Sequence, residues 1–113
     1  MNRHERGDIV FLKLDDNDAT GYPAIVLSNP DILNDPRHLR INAVTGTKKR
    51  PSAQARPHQV ILNGADGLEF PTLFDCGFVS VVRKSSILRS AGRVTYARRG
   101  QIASKIRASL GLG

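Results

Sequence analysis

Three consecutive cations, Lys48-Lys49-Arg50, stand in the Pro-bounded stretch from Thr45 to Pro57, and Arg56 follows them. Cations spaced this closely can track a phosphate backbone, because each phosphate they neutralise releases condensed counterions; a solvated loop is the plainer alternative. His58, directly after Pro57, is the side chain type that changes charge near neutral pH, so it can serve as acid or base, although a lone histidine is more often a surface or edge-strand residue. Asp75 lies between Phe74 and Cys76, where burial would strengthen its hold on a proton and a nearby arginine would weaken it; capping a turn is its structural alternative. Tyr22 is one of two tyrosines in a chain with four phenylalanines and no tryptophan, so a nucleobase has few platforms on which to stack. His4 and His38 stand in no motif. Three scattered histidines and a single cysteine, Cys76, show no metal-ligand spacing, so neither a metal nor another cofactor is expected, and no internal disulfide can form.

The elements that must position these residues follow from local patterning. Ile9 to Leu14 is rich in β-branched and apolar side chains and is followed by Asp15-Asp16-Asn17-Asp18, which reads as a strand and then a turn. Pro23 to Ser28 repeats the pattern, with Pro23 at the first strand position, where a missing N–H costs least. Leu39, Ile41 and Ala43 alternate with polar neighbours in a third strand over 39–44. Residues 58–62 and 78–82 give a fourth and a fifth. After Thr95, a natural N-cap, Ile102, Ile106 and Leu110 recur at i, i+4 and i+8, so the chain is expected to close in an amphipathic helix that stops at Gly111. Arg99 interrupts the apolar arc and must either snorkel or lie before the helix begins.

At 113 residues the chain has room for one modest core, hence a single domain over 1–113, and a large multidomain enzyme is excluded. No apolar run approaches the roughly 18 residues of a membrane span, and no apolar stretch follows the first charges as in a secretory signal, so a cytoplasmic protein without membrane attachment is expected. The net charge of +7 is unevenly placed. Residues 1–36 carry three basic side chains against seven acidic ones, whereas residues 37–113 carry fourteen against three. A field of that sign over the last two-thirds of the chain favours a polyanionic partner, of which nucleic acid is the commonest.

Several segments, taken in order, resemble the MazF/PemK family of toxins from bacterial toxin–antitoxin pairs. They are Arg6-Gly7-Asp8-Ile9-Val10, Gly21 to Ser28, the strand end Val44-Thr45-Gly46-Thr47-Lys48-Lys49, Cys76 to Val82 with Lys84-Ser85, and Gly92-Arg93-Val94 ahead of the final helix. The resemblance spans nearly the whole chain. It implies a mainly β protein, a small SH3-like β-barrel with a C-terminal α-helix, which forms a homodimer, cleaves single-stranded RNA without a metal and is neutralised by a cognate acidic antitoxin. It further implies catalytic roles for Asp75 and Thr45, and RNA contacts through Tyr22, Thr47, Lys48, Lys49, Arg50, Arg56 and His58. The chain departs from the family where Tyr22 replaces the arginine before Pro-Ala and where Gly46 replaces a serine. Aligned on Cys76, Gly77 falls at the family's aspartate and Ser80 at its arginine; a shift of two residues instead puts Asp75 at the aspartate. Two alternatives from other functional classes stand beside the endoribonuclease. One is a degenerate relative that binds nucleic acid without cutting it, the other an inhibitor of a protein target, as the gyrase poison CcdB is.

Overall fold

The computed structural model describes residues 4–17, 20–47, 56–68 and 71–112. The strands are β1 (Asp8–Leu12), β2 (Tyr22–Val26), β3 (Arg40–Thr45), β4 (Gln59–Leu62), β5 (Thr72–Asp75), β6 (Ser80–Arg83) and β7 (Ile87–Arg93). A four-residue helix α1 (Pro30–Leu33) follows β2, and helix α2 (Tyr96–Leu110) ends the chain. Five strands form one antiparallel sheet in the order β6-β3-β2-β1-β7, and β4 and β5 form a separate hairpin. A bridge between Gly46 and Phe74 joins the end of β3 to β5, so the hairpin continues the curl of the sheet.

Strand alternation sends successive side chains to opposite faces, and here both faces of the central strands are covered. Ile9, Ile25 and Val44 stand in register and pack with Val60, Leu62, Phe74 and Cys76 of the hairpin and with Ile102 of α2. Val10, Leu12, Ala24, Val26, Ile41 and Ala43 make a second cluster on the other face, roofed by Leu33 and Ile32 of α1 and by Val82 and Ile87. Double-sided burial explains the near-continuous apolar runs in β1 and β2.

The five expected strands all form, each within two residues of its expected limits. Two further strands and α1 were not legible. In β7 the sequence Ile-Leu-Arg-Ser-Ala-Gly-Arg has no apolar alternation, and its backbone is held by pairing with β1 across two register shifts. Arg93 completes that attachment through Nε to Asp8 Oδ1 at 2.8 Å and through Nη1 to Glu5 Oε2 at 3.1 Å. Helix α2 begins after Thr95 and closes at Gly111, whose φ of 71° suits a residue without a side chain. Thr95 makes no side-chain cap; its own N–H donates to buried Asp66 Oδ1 at 3.1 Å. Asp66 Oδ2 accepts from the Asn63 N–H at 3.1 Å and lies 3.5 Å from Arg98 Nε, fastening the loop after β4 to the start of α2. Arg99 snorkels: its Nε would stand 3.5 Å from a Cβ at Gly7, so its stem crosses the chain ahead of β1.

Candidate nucleic-acid site

The site is built where the hairpin meets the end of β3. Gln59 of β4 stands opposite Asp75 of β5, which places His58 and Asp75 together at one end of the ladder. His58 Nε2 lies 3.5 Å from Asp75 Oδ1, and both side chains are about one-third exposed, at 38% and 32%. Two contacts hold the histidine's backbone. The Cys76 N–H donates to the His58 carbonyl at 2.9 Å, and Lys105 Nζ from α2 donates to the preceding Pro57 carbonyl at 2.7 Å.

Asp75 caps a turn as well as facing His58, since its Oδ1 accepts the Gly77 N–H at 2.9 Å. Among the described residues, Asp75 Oδ2 and His58 Nδ1 make no hydrogen bond, so each is available to a ligand. A Cβ at position 77 would stand 3.1 Å from Asp75 Oδ1 and 3.2 Å from His58 Cδ2, tighter than ordinary contact. A carboxylate at 77 and the His58–Asp75 pair therefore compete for one space.

Thr45 enters from β3. One residue on from the antiparallel Gly46–Phe74 bridge, the register sets Thr45 opposite Asp75, while on its other side it pairs with Ala24. Tyr22, two residues before Ala24, shares the sheet face of Thr45 a diagonal step away, about 7–8 Å. It is half-buried beside Leu12, a more enclosed position than a stacking platform needs. Thr47 donates its N–H to the Leu73 carbonyl at 3.0 Å, and Arg56 exchanges hydrogen bonds with Gln59. Both flanks of the basic stretch thus leave from the hairpin beside Asp75. Lys48, Lys49 and Arg50 themselves lie outside the described residues.

Cys76, next to Asp75, is fully buried, and burial pushes its thiol up to about 11, helped by the Asp75 charge and opposed by Lys105. It is packing, not a nucleophile. Phe78, absent from the sequence expectations as a site residue, is 71% exposed in the turn that leads from Asp75 to β6. Its position inside the expected fifth strand hid it, because that strand begins two residues later, at Ser80. A carboxylate and an imidazole meet here at the rim of the curled sheet, with a threonine at the adjoining end of β3 and an exposed aromatic residue three positions along the chain. Such a set can move a proton, bind a phosphate oxygen and stack a base.

No protein-family model matches the chain, and no curated protein sequence does. Solved structures do. A mycobacterial endoribonuclease in complex with its cognate antitoxin superposes with a TM-score of 0.75 at 21% identity, covering 98% of this chain and 96% of that one. The Mycobacterium tuberculosis toxin MazF-mt6 gives 0.75 at 15% identity over 92% and 96% of the two chains. MazE–MazF from Deinococcus radiodurans gives 0.75 at 18% identity over 98% of each. The curled sheet, hairpin and closing helix therefore define a small β-barrel of the kind these structures share. More narrowly, the chain has the MazF fold.

Proposed function

We propose that this chain is the toxin of a type II toxin–antitoxin pair, an endoribonuclease that cleaves single-stranded RNA in the cytoplasm. The observation that carries the proposal is the His58–Asp75 pair, about one-third exposed and 3.5 Å apart at the rim of a MazF fold. In the reaction, Asp75 Oδ2 takes the proton of a ribose 2′-hydroxyl, and the 2′-oxygen attacks the adjacent phosphorus. The bond from phosphorus to the 5′-oxygen breaks, and protonated His58 supplies the proton to that oxygen, leaving a cyclic phosphate and a 5′-hydroxyl. The Thr45 hydroxyl donates to a non-bridging phosphate oxygen as its charge grows. Phe78 takes a base, and Thr47, Arg56 and the Lys48-Lys49-Arg50 stretch hold the backbone. The similar structures solved together with an antitoxin support an antitoxin partner, and the net charge of +7 favours one with an acidic, disordered binding segment.

Incubating purified protein with a mixed RNA pool tests this. Cleavage is expected, and Asp75→Asn is expected to slow it by about 10² to 10⁴ while leaving RNA affinity nearly intact. Salt-dependent binding without cleavage would identify a degenerate binder. Neither binding nor cleavage would point to a protein target. Unchanged cleavage by Asp75→Asn would return Asp75 to the role of turn cap alone.

A further inference from the structure

The β3–β6 ladder sets Arg40 directly opposite Arg83. Like charges facing each other across two strands repel, so such a pair is retained at a cost to the sheet. Both side chains are exposed, and neither has an ion pair or a side-chain hydrogen bond among the described residues. They line a cleft of about 670 Å³ together with Arg37, His38 and Lys84. Those neighbours are already committed: Arg37 grips Asp35 at 2.9 Å, His38 lies 3.9 Å from the same carboxylate, and the Lys84 ammonium donates to the Ile32 and Asp35 carbonyls. Among the described residues, the Asp35 carboxylate at this end is thus spoken for, and two guanidinium groups stand exposed on neighbouring strands.

The two arginines lie at the far end of β6, the strand that the chain enters just beyond the candidate site. From Asp75 the chain passes exposed Phe78, enters β6 at Ser80, and carries Val81, 68% exposed, to Arg83 about 10 Å further on. Val81 and Arg83 share a face, because they are two residues apart in a strand. Along this edge strand an apolar stretch separates the acid–base pair from the two arginines. That spacing suits bases and then a phosphate of one extended strand.

We propose that Arg40 and Arg83 form a phosphate-binding subsite that holds the RNA backbone several nucleotides from the bond being cut, with the strand lying along the β6 edge. This rests on the chain acting on RNA. Guanidinium groups suit the role, since each can present a two-pronged donor to a phosphate.

The test uses the full chain and fluorescent 2′-O-methyl oligonucleotides, which lack the attacking hydroxyl and report binding alone. One is long enough to reach both sites, and one spans only the Asp75–His58 end. For Arg40→Gln/Arg83→Gln the long oligonucleotide is expected to bind about tenfold more weakly, and its log–log salt slope to flatten by about 1.4, roughly 0.7 for each lost contact. The short oligonucleotide should bind as before, and its cleavable 2′-hydroxyl form should be cut at the original rate. Arg40→Lys/Arg83→Lys should keep the salt slope, which separates lost charge from lost fold. An unchanged slope for the long oligonucleotide in the glutamine variant, with the unaltered chain binding and cleaving normally, overturns the subsite alone. If the glutamine variant instead keeps RNA binding and loses an acidic peptide partner, the cleft belongs to a protein. Failure of the unaltered chain to bind or cut any RNA removes the functional reading itself, and this one with it.

Discussion

A side chain at position 77 would crowd the contact between Asp75 and His58, and beside them Cys76 shows how differently a neighbouring residue can be used. The Cys76 thiol is held neutral by burial, its pKa raised from 9.0 to about 11. The unfolded chain ionises this thiol above pH 9 while the folded chain does not, so the contribution to stability is full below pH 9 and falls away as pH rises toward 11. We expect chemical-denaturation stability to decline across that window in the unaltered protein and to decline less in Cys76→Ala, which will start from a lower value because it leaves a cavity. A thiol reagent at pH 8 should modify the native protein only at the rate of its unfolding. Rapid modification of folded protein would show that Cys76 is accessible and would refute this account of the residue.

Among the elements, α2 depends on a residue that lies 29 positions before its first turn. Asp66 receives the backbone N–H groups of Asn63 and Thr95 and faces Arg98, whose Nη1 also donates to the Ile61 carbonyl at 2.6 Å. Removing the carboxylate takes away the acceptor that fastens both N–H groups and the charge that faces Arg98. Asp66→Ala should therefore cost about 3 kcal/mol or more and lower the thermal midpoint by more than about 10 °C. Thr95→Ala should cost far less, because the Thr95 hydroxyl caps nothing and only its backbone is used. Calorimetry of the two variants distinguishes this arrangement from an ordinary N-cap, for which the order would be reversed.

For the molecule as a whole, the homodimer that the family resemblance implies needs an apolar face, and the run Ile9 to Leu14 offers little of one beyond Leu14, which is 48% exposed. Ile9, Val10 and Leu12 are fully buried within the chain, because both faces of the sheet are covered. The helix does retain an apolar surplus. Ile102 is buried and Ile106 partly so, but Leu110 and Leu112 are 52% and 70% exposed. We expect light scattering at micromolar concentration to give twice the 12.4 kDa chain mass, and Leu110→Asp/Leu112→Asp to restore the single mass. A monomer in the unaltered protein would dispose of the homodimer.

The sequence alone carried what local patterning carries. Apolar runs marked the strands that contain Ile9, Ile25 and Ile41, and the i, i+4, i+8 spacing of Ile102, Ile106 and Leu110 marked the helix that Gly111 ends. Both are period signals, and a period is written in consecutive residues. β7 left no such trace, because its polar and glycine-containing sequence is held by backbone bonds to β1, which any side chains permit. The site divides along the same line. His58 and Asp75 stood out singly as titratable residues in distinctive settings, yet 17 positions of chain separate them. Only the Gln59–Asp75 register and the space left by Gly77 bring them together. Arg40 and Arg83, 43 positions apart, were ordinary surface cations until β3 and β6 set them face to face. Residue type fixes what chemistry a side chain is capable of, whereas strand register, a non-local property settled by burial on both sheet faces, decides which side chains share a place in which to perform it.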